Sequence, residues 1–107
     1  MTPPADFAVE VSKDGDSVVV TVSGDVDYTH YTELEAAIDH EIARAGGPVD
    51  LVVDLADVPY CDSCGMRVLL GTAQRVAADG GHFALRGVQG QPSRALKLTG
   101  LDRVLGT

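Results

Sequence analysis

The sequence predicts an α/β fold: a single domain spanning residues 1–107, built on one mixed, four- to five-stranded sheet with an opening β-hairpin, βαβ crossovers and about three helices. Three observations predict it. Two period-two apolar runs lie next to each other near the start, joined by a turn dipeptide. Beyond Gly24 the apolar period becomes that of a helix, and strand-like and helix-like segments then alternate. At 107 residues the chain is long enough for one hydrophobic core and short for two.

Each element follows from its own pattern. Phe7, Val9 and Val11 alternate with Ala8, Glu10 and Ser12, as in a strand with one buried face. Asp14-Gly15 supplies the hairpin turn, and Ser17 to Ser23 is a Val-rich second strand closed by Gly24. From about Thr29 to Ala45, Leu34, Ala37, Ile38, Ile42 and Ala45 share one helical face, with Glu33, Glu35, Asp39 and Glu41 largely off it. Thr32-x-x-Glu35 fits a capping box, Thr29 is an alternative cap, and Gly46-Gly47-Pro48 stops the helix. Val49 to Leu55 is a short, nearly continuous apolar run, expected of a central strand covered on both faces.

After Val58-Pro59-Tyr60 and a turn over Cys61–Gly65, a second helix carries Met66, Leu69, Leu70, Ala73, Val76 and Ala77 on its apolar stripe. Gly80-Gly81 ends it, and His82 to Arg86 reads as another strand. Pro92 suits the first turn of a short helix through about Leu98, ended by Gly100, and Arg103 to Leu105 is expected to add a final edge strand. Right-handed crossovers make the strands around Val20, Val52 and Ala84 parallel. The segments leaving them, from Asp25, Asp57 and Gly87, then share the carboxyl edge of the sheet, where α/β proteins usually build their sites. Asp27 and Ser63 should meet there.

Composition narrows the function. The chain has no Trp and only 5% aromatic residues, so Val, Leu, Ile and Ala must build the core. Sixteen acidic against eight basic side chains give a formal charge of −8. Such a surface repels phosphate backbones and anionic lipid, which excludes nucleic acid and membranes as expected partners. Met1–Asp6 has neither the basic nor the apolar region of a signal peptide, and no apolar run approaches the ~18 residues of a membrane helix. Two close cysteines make no secreted disulfide framework, so a reducing cytoplasm is the expected compartment.

The chemistry concentrates at Cys61-Asp62-Ser63-Cys64-Gly65, where a central strand hands over to a helix. Asp62 or Ser63 can simply cap that helix. The same geometry suits a phosphoserine, which would find N–H donors and the positive end of the helix dipole, while Gly65 leaves backbone open to an approaching group. Cys61-x-x-Cys64 also has the spacing of a dithiol redox site. His30, His40 and His82 are scattered and form no metal-ligand pattern with the cysteines. Asp27, read alone, is a turn former; beside Ser63 it becomes a candidate to orient the hydroxyl. A Gly-x-Ser-x-Gly elbow and a phosphate-binding loop are both absent.

Three segments together resemble the STAS domains, specifically the bacterial anti-sigma factor antagonists. Gly24-Asp25-Val26-Asp27 followed by Leu34 looks like their Gly-Glu-Leu/Ile-Asp opening. Val53-Asp54-Leu55 leading through Val58 into Asp62-Ser63-Cys64-Gly65-Met66 resembles their Asp-Ser-Ser/Thr-Gly-Leu signature. Leu98–Leu105 resembles their closing segment. The match runs in order from about residue 7 to 105.

The resemblance implies a STAS-like fold and a switch without catalysis of its own. In the family the unphosphorylated antagonist binds an anti-sigma factor that is also a serine/threonine kinase, and the sigma factor is freed for transcription, often in a stress response. That kinase brings its own ATP and Mg²⁺, so no cofactor is implied on this chain, and a metal-dependent serine phosphatase resets the switch. The family's phosphorylated residue falls on Ser63, its first-motif Asp on Asp27. The surroundings a partner would touch are Asp25, Asp27, Asp62, Cys64, Gly65, Met66 and Arg67. Cys64 stands where the family usually has Ser or Thr, Arg67 where Gly is common, and Tyr31 where a small residue is usual. These departures keep two alternatives open: a STAS scaffold module indifferent to Ser63, and a Cys-x-x-Cys dithiol protein.

Overall fold

The computed structural model describes residues 7–105. Strands β1 (Ala8–Asp14) and β2 (Ser17–Ser23) form the expected hairpin, in register from Ala8↔Ser23 to Asp14↔Ser17. The chain continues through α1 (Tyr31–Ala45), β3 (Asp50–Asp57), α2 (Ser63–Ala78), β4 (His82–Arg86), α3 (Gly90–Thr99) and α4 (Leu101–Leu105). The sheet order is β1-β2-β3-β4, with β1 antiparallel to β2 and the other three strands parallel. The carboxyl ends of β2, β3 and β4 therefore share one edge, as the crossover rule requires.

The core is aliphatic. Val18, Val20 and Val22 of β2 and Leu51, Val53 and Leu55 of β3 join Leu34, Ile38 and Ile42 of α1 and Met66, Val68, Leu69 and Val76 of α2. Phe7, Tyr31 and Phe83 pack only at its margin. Because side chains alternate along a strand, these core residues occupy a single face of the sheet. No described helix is long and apolar enough to cross a membrane.

Four local expectations change. The apolar run of β3 is covered on one face only: Leu51, Val53 and Leu55 are buried, while Val52 and Asp54 are half-exposed on the far side. There Asp54 pairs with Arg86 at 3.0 Å and Ser17 donates a hydrogen bond to Asp50 at 3.0 Å. The expected final edge strand over Arg103 to Leu105 is instead part of helix α4, which brings the helices to four among the described residues. Leu101 and Leu105 stand one helical turn apart, and Leu105 is buried in the core where α4 packs on α2 and α3.

Helix α1 starts at Tyr31, after an N-cap at His30 that makes no side-chain capping bond. Neither Thr29 nor a Thr32–Glu35 box caps it. Its stop at Gly46 is as expected, with φ +65° in the left-handed region that glycine enters freely. Finally, Glu41 is buried rather than off the apolar face; its carboxylate lies 3.7 Å from the Arg44 guanidinium, which offsets part of the cost of its desolvation.

Candidate functional site

Beyond the regular ladder, the β2 and β3 extensions stay paired. Gly24 N–H donates to the Asp57 carbonyl at 3.1 Å, past a register shift between Thr21 and Ser23. Val26 and Cys61 then form an isolated parallel bridge: Val26 N–H donates to the Tyr60 carbonyl at 3.0 Å, and Asp62 N–H to the Val26 carbonyl at 3.1 Å. Both bridge residues turn inward and are buried. By the alternation of extended chain, Asp25 and Asp27 on one segment and Tyr60 and Asp62 on the other turn outward. The expected meeting of the Asp27 and Ser63 segments is thus made by backbone hydrogen bonds.

Asp62 is the N-cap of α2. Its Oδ1 accepts from Cys64 N–H at 2.8 Å and Gly65 N–H at 3.1 Å. Its Oδ2 accepts from Tyr28 N–H at 3.0 Å, which ties the α1 approach to the start of α2. Capping therefore falls to Asp62, and Ser63 has no such duty. Ser63 is exposed at the first position of the helix, and among the described residues its hydroxyl makes no hydrogen bond.

Asp27 does other work than orienting that hydroxyl. Its Oδ1 accepts from Thr29 and His30 N–H, both at 3.1 Å, and its carbonyl from Tyr31 N–H at 2.8 Å, so Asp27 shapes the turn into α1. It does not hydrogen-bond Ser63. The His30 ring stacks on Phe7 with centroids 4.8 Å apart. Its Nδ1 lies 3.0 Å from Asp27 Oδ1 and 3.1 Å from the Asp25 carbonyl. Two acceptors facing one ring nitrogen assign it the proton.

The other expected site residues divide by exposure. Asp25 and Arg67 are exposed, Arg67 one helical turn beyond Ser63, and Cys64 is half-buried. Gly65 and Met66 are buried and support the turn from beneath instead of offering surface. Cys61 is 2% exposed, and burial, with the neighbouring Asp62 charge adding, pushes its thiol up to about 12. It holds essentially no thiolate at neutral pH, which argues against a dithiol exchange centre. Both cysteines are free thiols.

One residue of the site carries no sequence signal. Gln91, at the start of α3, accepts from Cys61 N–H with Oε1 at 2.8 Å and donates to the Cys61 carbonyl with Nε2 at 3.1 Å. Val26 pairs with this extended segment on one side, and the Gln91 amide pairs with it on the other, in place of a further strand. Gln89 adds a bond from Nε2 to the Ala56 carbonyl at 3.0 Å. Gln91→Ala is expected to lower the unfolding free energy by about 1–2 kcal/mol, since two neutral hydrogen bonds are lost and a Cys61 amide is left unpaired. Urea denaturation checks the magnitude, and hydrogen exchange checks the place: an unchanged Cys61 amide would mean that Gln91 holds nothing.

Beside the turn an open cleft of about 560 Å³ is lined by Ser23, Gly24, Asp25, His30, Asp57 and Pro59. Its carboxylates disfavour phosphate-bearing ligands. Among the described residues no group of three or more His, Cys, Asp or Glu side chains is arranged to hold a metal.

Comparison with known proteins gives this geometry a context. The profile of the STAS domain family matches residues 8–107. The anti-sigma-F factor antagonist RsfB of Mycobacterium tuberculosis is 29% identical over 106 residues, covering 96% of this chain and 82% of the relative. The anti-sigma-B factor antagonist of Bacillus subtilis is 28% identical over 97 residues, covering 91% and 86%. Among solved structures, an anti-sigma factor antagonist from Mycobacterium paratuberculosis superposes with a TM-score of 0.84 at 30% identity, covering 98% of this chain and 87% of the other.

Proposed function

This chain belongs to the STAS domain family, and on that premise we propose that it is an anti-sigma factor antagonist switched by phosphorylation of Ser63. The unphosphorylated chain binds an anti-sigma factor serine/threonine kinase and frees the sigma factor. The kinase, holding ATP and Mg²⁺, transfers the γ-phosphoryl group: a bond forms between Ser63 Oγ and phosphorus, the bond to ADP breaks, and the hydroxyl proton leaves to a base on the kinase. A metal-dependent phosphatase reverses the modification. The chain itself is a substrate and not an enzyme.

The observation that carries this reading is the division of labour in the turn. Asp62 caps α2 with one carboxylate oxygen and tethers Tyr28 with the other, so Ser63 is exposed with a hydroxyl free for transfer. Phosphorylation adds about −1.5 to −2 charge next to Asp62. The nucleotide phosphates on the kinase are already anionic, so the modified serine faces like charge from both sides. Affinity falls.

The test is a titration of the wild type, Ser63→Ala and Ser63→Asp against every anti-sigma factor kinase encoded in the genome that carries this chain, with phosphoryl transfer followed by mass spectrometry. The wild type should gain one phosphoryl group on Ser63, Ser63→Ala should gain none and still bind, and Ser63→Asp should bind about a hundredfold more weakly. An unmodified wild type, with Ala and Asp variants binding equally, would replace the switch with a STAS scaffold module.

A further inference from the structure

The chain has only three tyrosines, and all three lie on the two segments that meet at the Ser63 turn: Tyr28, Tyr31 and Tyr60. Tyr28 is 76% exposed and Tyr60 44%. Tyr31 is half-buried, its ring 6.2 Å from that of Tyr28 and inclined at 40°. The other exposed large apolar residues, Val11, Leu98 and Val104, are aliphatic and belong to β1, α3 and α4. The two strongly exposed aromatic rings, Tyr28 and Tyr60, therefore both lie on the edge that presents Ser63.

The backbone under these rings is held at several points. Tyr28 N–H is bonded to Asp62, and the turn just before it is closed by the Asp27 carboxylate. The Tyr60 carbonyl accepts from Val26, and the adjacent Cys61 is held by both ends of the Gln91 amide. A tyrosine on fixed backbone has only two side-chain torsions to lose on capture, so it supplies contact area at low entropic cost. Charge lies on the same two segments: Asp25 and Asp57 are exposed and line the cleft, and among the described residues neither carboxylate takes a hydrogen bond or an ion pair.

We propose that Tyr28 and Tyr60 are the aromatic anchors of the partner surface, and that the partner meets them with two apolar recesses whose rim carries an arginine or lysine for the Asp25–Asp57 cleft. The inference rests on the reading of Ser63 as the serine presented to an anti-sigma kinase, and it adds what selects that kinase. The anchors do the work of tight packing, and the carboxylates steer a basic rim into register. Tyr31 supports Tyr28 from behind.

The experiment uses the full chain in the same kinase panel, by calorimetry for affinity and stopped-flow fluorescence for rates, with Tyr28→Ala, Tyr60→Ala, Tyr28→Phe, Asp25→Asn and Ser63→Asp. Each alanine variant should weaken binding about thirtyfold, the size of an interface hot spot. Tyr28→Phe should stay within about threefold, because the ring and not the hydroxyl makes the contact. Asp25→Asn should slow association and flatten its salt dependence while leaving dissociation nearly unchanged. Circular dichroism of the variants separates loss of anchoring from loss of fold. Alanine variants that fold and bind like wild type, while Ser63→Asp still binds about a hundredfold more weakly, overturn the anchors and leave the switch standing. The opposite pattern supports the anchors and removes the switch. A wild type that binds no kinase in the panel overturns both.

Discussion

Gly65→Ala is expected to destabilise the protein by about 3 kcal/mol, the upper end of what overpacking a tight site costs. A Cβ at this position would stand 2.5 Å from the Val26 carbonyl oxygen, 2.7 Å from Cys61 Sγ and 2.7 Å from Val26 Cγ1. None of these neighbours can step aside cheaply. The Val26 carbonyl accepts the Asp62 N–H at 3.1 Å, and both Val26 and Cys61 are buried in the core. The first turn of α2 would have to lift, and with it the bridge that presents Ser63. Gly71, further along the same helix, has nothing within 4 Å of its own added Cβ. Gly71→Ala should therefore gain up to about 1 kcal/mol from helix propensity alone. Denaturation midpoints of the pair decide the matter, and equal stabilities would show that the close approach at Gly65 is not a constraint.

Asp62→Ala is the second large effect, at about 2–3 kcal/mol. One part is the cap, since two N–H groups at the start of α2 lose their acceptor. The other is the tether from Tyr28 N–H to Oδ2, a hydrogen bond to a charged group. Asp62→Asn separates the two. Asparagine caps helices about as well as aspartate, so Oδ1 keeps its role, but an amide NH₂ in place of Oδ2 turns a donor toward the Tyr28 donor. Asp62→Asn should thus retain most of the helix stability and lose the tether, for a cost of about 1–2 kcal/mol. Amide exchange at Tyr28 and at Cys64 reads the two parts independently. Equal protection of Tyr28 in all three proteins would sink this account of Asp62.

The hairpin was legible because four of the seven residues of β2 are valine and its turn dipeptide is specific, and the parallel direction of β2, β3 and β4 followed from the right-handed crossovers that join them. The meeting of the segments that carry Asp27 and Ser63 followed in turn from the sheet edge those strands share. What stayed hidden depends on contacts without a period. In β3, Leu51-Val52-Val53 reads as continuous because Val52 is apolar, yet the helices cover only the face that takes Leu51, Val53 and Leu55. In α4, five residues are too few for a helical period to stand out, and only the spacing of Leu101 and Leu105 marks it. At the start of α1, Thr29 fits a cap in sequence, but Asp27 already binds the Thr29 and His30 amides. Gln91 could not be found at all: an amide side chain that pairs with backbone 30 residues away leaves no trace in local composition.

At the functional turn, both oxygens of Asp62 are engaged, and Cys61 is paired on its two sides by Val26 and Gln91. Such a segment has no slack with which to answer a modification by refolding. On the proposed switch, a phosphoryl group on Ser63 would then be stored as electrostatic potential on a nearly unchanged contour, like ink on a page and not like a crease in it. A reader of that mark would need only to distinguish charge, and its removal would restore the original surface with no conformational memory to unwind.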